Sequence, residues 1–238
     1  MKAIVVIPTY NEIENVEKII NAIFNVKPDI NILIVDDNSP DGTAATVSGL
    51  MKSDERIHLI VRAGKMGLGT AYCEGFKYAL ERGFDAIFEM DADFSHDPNE
   101  IPNFLIALNE NDLVIGSRYL TGVNVVNWPL RRLVLSYGAN LYTRMITGMK
   151  IKDATGGFKC FKADTLRKID LANIKSNGYG FQIELNFKVW KNNCKIKEIP
   201  IIFIDRRSGV SKMNKKIIYE AVLLVWKLKI ASLFQKID

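Results

Sequence analysis

The sequence predicts an α/β fold: a mostly parallel sheet flanked by helices, in a single domain that ends in an amphipathic helix. Two observations predict it: short apolar runs recur through the first half of the chain, and stretches with helical periodicity separate them. Such runs are typical of parallel strands that are buried on both faces. A length of 238 residues is enough for one domain of this kind.

The predicted strands follow one another along the first half of the chain, at residues 3–7, 32–35, 58–61, 86–90 and 113–115. Apolar residues at helical spacing predict a helix after the first strand, with Asn11 and Glu14 as its N-cap and capping-box pair. Residues 69–82 predict another helix, which Gly83 ends in a left-handed conformation. A sheet wound in this order binds its ligands at the carboxyl ends of the strands.

The periodicity changes in the second half of the chain. Residues 127–150 predict a helix, and residues 156–161 and 197–204 predict further strands. Residues 217–234 combine large apolar side chains with lysines, a pattern typical of a helix at a membrane interface, although a helix packed on the domain or on a membrane subunit has the same composition.

The charge balance favours a polyanionic partner. The net charge is +5 and the pI about 9.0, and basic residues are dense over residues 206–229. Nucleic acid, anionic lipid head groups, phosphorylated substrates and a merely solvated basic face all fit this bias. The three cysteines are far apart and follow no metal-binding spacing, which indicates a reducing compartment and argues against structural zinc.

Targeting signals are not evident in the sequence. The N-terminus has no cleavage-site pattern, and no apolar stretch approaches the ~20 residues that a membrane-spanning helix needs. We therefore expect a cytoplasmic protein that can still contact a membrane surface.

The segment Asp91-Ala92-Asp93 follows the fourth predicted strand. Two carboxylates with this spacing can bind a divalent cation that also binds the oxygens of a diphosphate. Mg²⁺ and Mn²⁺ prefer such oxygen ligands. Ser95 is a candidate to complete the metal shell. His96 beside these aspartates fits a hydrogen-bonded loop residue better than a catalytic one.

Polar residues also follow the first two strands. Asp37 lies at the tip of the second strand, where it can reach a nucleotide base or ribose, whereas Asp41 fits the start of a helix. The glycine-rich segment at residues 64–69 matches neither the dinucleotide nor the P-loop pattern, but its glycines allow close backbone approach, with Lys65 near phosphate. These clusters at successive strand ends predict one shared site.

Four basic residues are candidate phosphate ligands, because arginine suits bidentate phosphate recognition and lysine acts as a point charge. They are Arg118, Arg132 (with Ser136 nearby), Arg206 and Lys212. Each alone fits a surface charge equally well.

Taken together, these segments resemble the family 2 glycosyltransferases with the GT-A (Rossmann-like) fold, and among them the dolichol-phosphate (polyprenol-phosphate) mannosyltransferases. The matching segments are Ile7-Pro8-Thr9-Tyr10-Asn11-Glu12, Val35-Asp36-Asp37-Asn38-Ser39-Pro40-Asp41-Gly42-Thr43, Met90-Asp91-Ala92-Asp93-Phe94-Ser95-His96, Gly116-Ser117-Arg118-Tyr119, Trp128-Pro129 with Arg132 and Ser136, Thr155-Gly156-Gly157-Phe158, and Asp205-Arg206 with Gly209, Ser211 and Lys212. They run from residue 7 to 212 in the order of the family.

The resemblance implies a role for each group of residues. Donor-binding residues would be Pro8, Tyr10, Glu12, Val35, Asp37, Lys65, Asp91, Ala92, Asp93, Arg118, Arg206 and Lys212. Asp93 and Ser95 would ligate Mg²⁺ or Mn²⁺, and Arg118, Arg132 and Ser136 would bind the acceptor phosphate. Asp91, Asp93, Arg118, Arg132 and Arg206 would serve catalysis. At two places, 131–132 and 206–207, two arginines are adjacent, and either one could face the site. The motif spacing favours Arg132 and Arg206.

The implied activity is inverting transfer of mannose from GDP-mannose to dolichyl or polyprenyl phosphate. A phosphate acceptor also explains why no general base is evident, since its second pKa of about 6 leaves it largely dianionic at neutral pH. We accordingly divide the chain into a glycosyltransferase domain over residues 1–212 and an amphipathic helix over 213–238. The expected partners are the nucleotide sugar, the lipid phosphate, the cytoplasmic face of a membrane and, as an open alternative, a membrane subunit, but not nucleic acid.

Three other functions remain open at this point. UDP-glucose or another UDP-sugar is the nearest alternative donor. A haloacid-dehalogenase-type phosphatase has a similar aspartate motif, but there the motif follows the first strand rather than the fourth. A non-catalytic nucleotide- or lipid-binding protein would bind the donor tightly without transferring sugar.

Overall fold

The computed structural model describes residues 1–174, 176–205 and 215–234, with the backbone alone over residues 215–219. The strands are β1 Ala3–Thr9, β2 Asn31–Asp36, β3 Ile57–Val61, β4 Ala86–Glu89, β5 Leu113–Ser117, β6 Val125–Val126, β7 Lys159–Lys162, β8 Ile196–Pro200 and β9 Phe203–Ile204. The helices are α1 Val16–Val26, α2 Thr43–Met51, α3 Leu68–Glu81, α4 Ile101–Leu108, α5 Leu130–Thr147, α6 Ala163–Arg167, α7 Tyr179–Lys191 and α8 Lys215–Phe234.

Seven strands form one sheet in the order β3-β2-β1-β4-β7-β5-β8. All neighbouring pairs are parallel except those of β7, which runs antiparallel to both β4 and β5. The predicted class, a mostly parallel sheet flanked by helices, is therefore confirmed. The five predicted strands of the first half are β1 to β5, with ends that shift by one or two residues.

The sheet is buried on both faces, which explains the continuous apolar character of its strands. On one face β1, β2 and β4 pack against α3 and α7, and on the other they pack against α1, α2 and α4. Side chains from successive positions of β1 enter opposite cores, as Val5 and Val6 do. This two-sided packing fixes the carboxyl ends of β1, β2 and β4 beside one another.

The predicted capping pair before α1 is wrong. Helix α1 begins at Val16, and Asn11 adopts a left-handed conformation with φ of 61°. The reason is that the backbone after β1 bonds to the next loop instead: the N–H of Asn11 donates to Ser39 Oγ, at 3.0 Å, and that of Ile13 donates to Asp41 Oδ2, at 3.1 Å. Asp41 also accepts from the backbone N–H and the hydroxyl of Thr43, the first residue of α2, at 3.0 and 2.6 Å, so it lies at the start of a helix as expected.

The second half differs from the predicted elements at its ends. The helix over 127–150 is α5, which starts only after Pro129. The strand over 156–161 is β7 and begins at Lys159. The strand over 197–204 is two strands, because Pro200 ends β8 and the chain then leaves the main sheet to pair β9 with β6.

The C-terminal helix α8 packs against α5 and α7. Val225 and Leu228 are buried at that contact, whereas Trp226 and Ile230 on other sides of the helix are exposed. It is therefore packed on the domain and also presents apolar side chains to the outside. Within the described ranges, none of the helices combines the length and hydropathy that a bilayer crossing requires.

Candidate active site

A cavity of about 390 Å³ lies at the carboxyl ends of β1, β2 and β4. Most of the residues predicted for the site line it: Pro8, Tyr10, Glu12, Asp37, Lys65, Asp91, Ala92, Asp93, Ser95, Arg118 and Arg132. The strand-end clusters therefore meet in one site, as the winding of the sheet predicts.

One end of the cavity is built around Asp37. The buried guanidinium of Arg62 binds the Asp37 carboxylate, and the backbone N–H of Met66 donates to Asp37 Oδ2 at 3.2 Å. Arg62 also donates to the carbonyl oxygen of Gly67 at 3.0 Å, so it ties the strand tip to the glycine-rich loop. The ammonium group of Lys65 lies 4.2 Å from the centre of the Tyr10 ring.

Asp91 is held from two sides. The hydroxyl of Tyr72, a fully buried residue, donates to Asp91 Oδ1 at 3.2 Å, and the Asp91 backbone N–H donates to His96 Nδ1 at 3.1 Å. Burial raises the pKa of Tyr72 well above its usual value, so the phenol keeps the proton that it donates. These contacts fix the carboxylate in the cavity wall.

Asp93 and Ser95 lie on a tight turn in the same wall. Phe94 between them has φ of 60°, an uncommon value for a residue with a side chain. The Ser95 N–H donates to Asp93 Oδ1 at 3.0 Å, while the buried Ser95 Oγ has no hydrogen-bond partner among the described residues. An unpartnered buried hydroxyl beside a carboxylate suits a hard divalent cation.

The described residues contain no group of three or more His, Cys, Asp or Glu side chains that could hold a metal by themselves. A cation at Asp93 and Ser95 would therefore need further ligands from a bound phosphate group or from water. Mg²⁺ sites in nucleotide-binding proteins commonly have this composition, with one or two carboxylates and the substrate phosphates. The residues present fit such a site.

His96 is a structural residue of the loop, as expected. Its ring is buried and stacks on Phe158 with the centroids 5.1 Å apart. Burial lowers the pKa of the His96 imidazole. Because Nδ1 accepts the backbone N–H of Asp91, the neutral ring carries its proton on Nε2 and has no free lone pair for a base.

Arg118 is anchored to a partner that the sequence did not reveal. Its Nε and Nη2 donate to the two carboxylate oxygens of Asp153 at 2.7 and 2.6 Å, and Nη2 also donates to Thr155 Oγ1 at 2.9 Å. Burial opposes ionisation of Asp153, but the charge and hydrogen bonds of Arg118 outweigh it and lower the pKa of the carboxyl. Nη1 has no hydrogen-bond partner in the described part of the chain.

Arg132 lies between the cavity and its neighbour. Its Nη1 donates to Asp205 Oδ2 at 2.7 Å, and its guanidinium lies 4.1 Å from the centre of the Trp128 ring. The buried Nε has no partner among the described residues. Arg131 is exposed, so the motif spacing identified the arginine that faces the site.

A second cavity of about 370 Å³, which we call the apolar groove, joins the first. It lies between α5, α7 and α8, and its lining includes Leu135, Tyr142, Ile183, Val222 and Val225. Arg132, Thr155 and Tyr179 line both cavities. Ser136, predicted to bind the acceptor phosphate, lines the groove, and its hydroxyl accepts from Tyr119 Oη at 2.8 Å.

One described residue that was predicted for the site lines neither cavity. The Val35 side chain is fully buried in the core on the α3 side and does not line the cavity, so a side-chain role in donor binding is not supported. Arg206 and Lys212 lie outside the described residues.

The structure also adds residues to the site: Arg62, Tyr72, Asp153 and Gln182. Arg62 carries a usable signal, since an arginine directly after the third strand is at the predicted ligand-binding edge. Tyr72, Asp153 and Gln182 contact residues that are distant in the sequence, so only the folded structure reveals these contacts.

The chain is similar to known proteins over nearly its whole length. Residues 4–170 match the family described as Glycosyl transferase family 2. The undecaprenyl-phosphate mannosyltransferase of Micrococcus luteus is 43% identical over 232 residues, covering 98% of this chain and 96% of that protein. The polyprenol monophosphomannose synthase of Mycolicibacterium smegmatis is 46% identical over 226 residues, covering 94% of this chain and 85% of that protein.

The fold is similar to that of glucosyl-3-phosphoglycerate synthase from Mycobacterium tuberculosis. The structure of that enzyme with uridine diphosphate superposes with a TM-score of 0.68 at 15% identity, covering 96% of this chain and 80% of that one. Its complex with Mn²⁺ and UDP-glucose gives a TM-score of 0.66 at 16% identity, covering 99% and 79%. At such low identity the likeness concerns the fold alone.

Proposed function

This chain belongs to glycosyl transferase family 2, and from that premise we propose that it transfers mannose from GDP-mannose to the phosphate of a polyprenyl phosphate, with inversion at the anomeric carbon. The observation that carries the proposal is the junction at Arg132, Thr155 and Tyr179, where a polar cavity meets the apolar groove. A polyprenyl phosphate has the same division, because an anionic head is attached to an apolar chain.

The relatives support the sugar and the acceptor. Two proteins that are 43% and 46% identical over nearly the whole chain are named for mannose transfer, one of them to undecaprenyl phosphate. The choice of GDP as the donor nucleotide comes from the family resemblance of the sequence motifs. UDP-glucose or another UDP-sugar is the alternative donor.

The acceptor phosphate supplies its own nucleophile. A phosphate monoester is largely dianionic at neutral pH, so no side chain has to remove a proton from it. This fits His96, whose lone pair on Nδ1 is occupied by the Asp91 backbone. Arg132 lies where the head group would enter, and its guanidinium would orient the phosphate oxygen toward the anomeric carbon.

The leaving group is a nucleoside diphosphate, and its departure places negative charge in the cavity. Asp93 and Ser95 would hold a divalent cation, which when bound neutralises charge on the departing diphosphate. Arg118 would contribute a fixed positive charge, since Asp153 and Thr155 hold its guanidinium in the cavity wall. Asp37 and Arg62 would bind the nucleoside end.

The outer surface supports access to a membrane. Helix α5 exposes Leu130, Val134 and Met145, and α8 exposes Trp226 and Phe234. Val134 lines the apolar groove, and the other four side chains belong to α5 and α8, the helices that form two of its walls. We therefore propose that the protein binds a membrane peripherally, with the groove open toward the lipid. The choice of the cytoplasmic face comes from the sequence, whose three separate cysteines indicate a reducing compartment.

The test is a transfer assay with purified protein, a polyprenyl phosphate, and either Mg²⁺ or Mn²⁺. GDP-mannose and UDP-glucose are compared as donors, and the product is analysed by mass and by the anomeric configuration of its sugar. The proposal expects a mannosyl lipid phosphate of inverted, β configuration from GDP-mannose. A product that retains the α configuration would contradict the single displacement.

The proposed transferase and the two rival functions predict different experimental outcomes. The Asp93→Asn variant should lose transfer by about 100-fold or more, because an uncharged amide holds the cation poorly. A non-catalytic binding protein would bind donor without any transfer by the wild type. A phosphatase would release inorganic phosphate and form an aspartyl-phosphate on Asp91, although Asp91 follows β4 rather than the first strand.

A further inference from the structure

A buried ion pair lies between neighbouring strands beneath the active-site cavity. Glu89 of β4 is paired across the sheet with Lys159 of β7, and the ammonium nitrogen of Lys159 lies 3.7 Å from Glu89 Oε2. Both side chains are fully buried. Removing two charged groups from water is costly, and replacing such a pair by apolar side chains is often neutral or stabilising. Stability alone therefore does not explain the pair.

The pair is connected to the cavity through Gln182. Lys159 Nζ donates a hydrogen bond to Gln182 Oε1, and Gln182 lines the cavity from the first turns of α7. The lysine ammonium group has only donors, so it can face only the oxygen of the amide. This contact settles which end of the amide is the oxygen, an assignment that otherwise depends on the surrounding network.

The amide nitrogen of Gln182 lies among residues of the cavity wall. A methyl group built on Gly157 would lie 3.6 Å from Gln182 Nε2 and 3.5 Å from His96 Cε1, so both side chains lie beside Gly157. All three line the cavity. Nε2 is therefore a neutral hydrogen-bond donor at this wall, next to Gly157, and its two hydrogens allow it to interact with the buried Glu89 carboxylate and also to donate to a group in the cavity.

We infer that Gln182 Nε2 donates a hydrogen bond to one hydroxyl of the transferred sugar, and that Lys159 and Glu89 are positioning residues which hold the amide in that orientation. The inference rests on the proposed function and adds a residue that recognises the sugar through one of its hydroxyl groups. Two arginines of the cavity, Arg118 and Arg132, suit phosphates, whereas a neutral amide suits a hydroxyl. A site that hydrogen-bonds a substrate hydroxyl discriminates strongly against sugars that lack it.

The experiment uses GDP-mannose and its 2-, 3-, 4- and 6-deoxy analogues with the full-length protein. For the wild type, the analogue that lacks the recognised hydroxyl should lose about 10- to 100-fold in kcat/KM. In Gln182→Met the parent donor should lose a similar factor, and that same analogue should lose nothing further. If each analogue costs the variant as much as it costs the wild type, the inference is wrong.

Two further variants keep the result interpretable. Gln182→Asn retains an amide but withdraws it from the cavity, so it should abolish the same discrimination if Gln182→Met does not fold. Asn186→Leu is the matched control: its buried amide lies one turn further along α7, donates to the carbonyl oxygen of Ala154 at 2.9 Å and does not line the cavity. It should leave the analogue pattern of the wild type unchanged.

The positioning role predicts that Lys159→Met weakens the same discrimination, because the amide of Gln182 is then free to rotate. Unchanged discrimination in a folded Lys159→Met variant would contradict that role. Transfer of mannose itself by the wild type is measured first. Its absence would contradict the proposed function, whereas normal transfer with an unaltered analogue pattern in the Gln182 variants would contradict only the assignment of Gln182.

Discussion

The Arg118 guanidinium and the Asp153 carboxylate form a buried two-point ion pair in the wall of the active site, with Nε–Oδ2 and Nη2–Oδ1 distances of 2.7 and 2.6 Å. The backbone N–H of Arg118 also donates to Asp153 Oδ2 at 2.9 Å. A cation that would bind phosphate is thus held in place before any substrate arrives. Electrostatic stabilisation of a transition state depends on this kind of fixed orientation.

Removal of Asp153 should destabilise the protein strongly. Asp153→Ala leaves the Arg118 charge buried without its partner, and we expect the free energy of unfolding in urea to fall by about 3–5 kcal/mol. The control is Asp164→Ala, which removes an exposed pair with Arg167 and should cost less than about 1 kcal/mol. An equal decrease in the free energy of unfolding in the two variants would show that the buried pair stabilises the protein no more than the exposed pair does.

The same pair predicts a pH dependence. Burial opposes ionisation of Asp153, but Arg118 outweighs it and lowers the pKa of the carboxyl below its ordinary value of 3.8. The unfolded chain therefore binds this proton at a higher pH than the folded protein does. The stabilisation is complete above pH 3.8 and is lost as the pH falls further. Urea unfolding below this pH should show a steeper acid loss for the wild type than for Asp153→Ala, and parallel curves would contradict the assignment.

Arg62 should control nucleotide affinity through Asp37. In Arg62→Ala the Asp37 carboxylate loses its ion pair and the glycine-rich loop loses a tie at Gly67. We expect binding of the nucleoside diphosphate, measured by titration calorimetry, to weaken by about tenfold, the effect of losing about one charged hydrogen bond. Arg56→Ala is the control, because Arg56 pairs with Asp54 away from the cavity. Equal affinity in Arg62→Ala and the wild type would mean that Asp37 does not depend on Arg62.

The apolar surface of α5 should contribute to membrane binding. Leu130 and Met145 are each 74% exposed and line neither the cavity nor the groove. Leu130→Glu and Met145→Glu should each lower partitioning onto anionic phosphatidylglycerol vesicles by about tenfold, since an exposed apolar side chain that would insert among the lipids is replaced by a charge that anionic lipid repels. Transfer to a short, water-soluble polyprenyl phosphate should be retained.

The control for membrane binding is Ile106→Glu. Ile106 is 68% exposed but belongs to α4, outside this surface. Its substitution should leave vesicle binding unchanged. If all three variants bind vesicles as the wild type does, α5 is not a membrane contact.

Sequence patterns predicted the parts of the site that depend on local structure. Tyr10, Asp37 and Asp93 each follow a strand, and parallel strands bring their carboxyl ends to one edge, so their meeting in one cavity could be foreseen. The spacing of a short motif also predicted that Arg132, and not Arg131, faces the site. In the structure Arg132 lines the cavity and Arg131 is exposed.

The remaining site residues depend on contacts between distant segments. Lys159 meets Glu89 only because β7 inserts antiparallel between β4 and β5, and no local pattern predicts that insertion. Asp153 reaches Arg118 from the segment between α5 and β7. The capping prediction at Asn11 failed for the same reason, since the next loop supplied the hydrogen bonds.

The central claim, sugar transfer to a lipid phosphate, is tested most directly by the choice of acceptor. The protein is incubated with GDP-mannose and a divalent cation, with either a polyprenyl phosphate or the corresponding dephosphorylated polyprenol, and the lipids are analysed by mass spectrometry. We predict that the polyprenyl phosphate gains the mass of one hexose residue and that the dephosphorylated polyprenol gains none. Transfer to the free alcohol, or hydrolysis of GDP-mannose without any lipid product, would contradict the account.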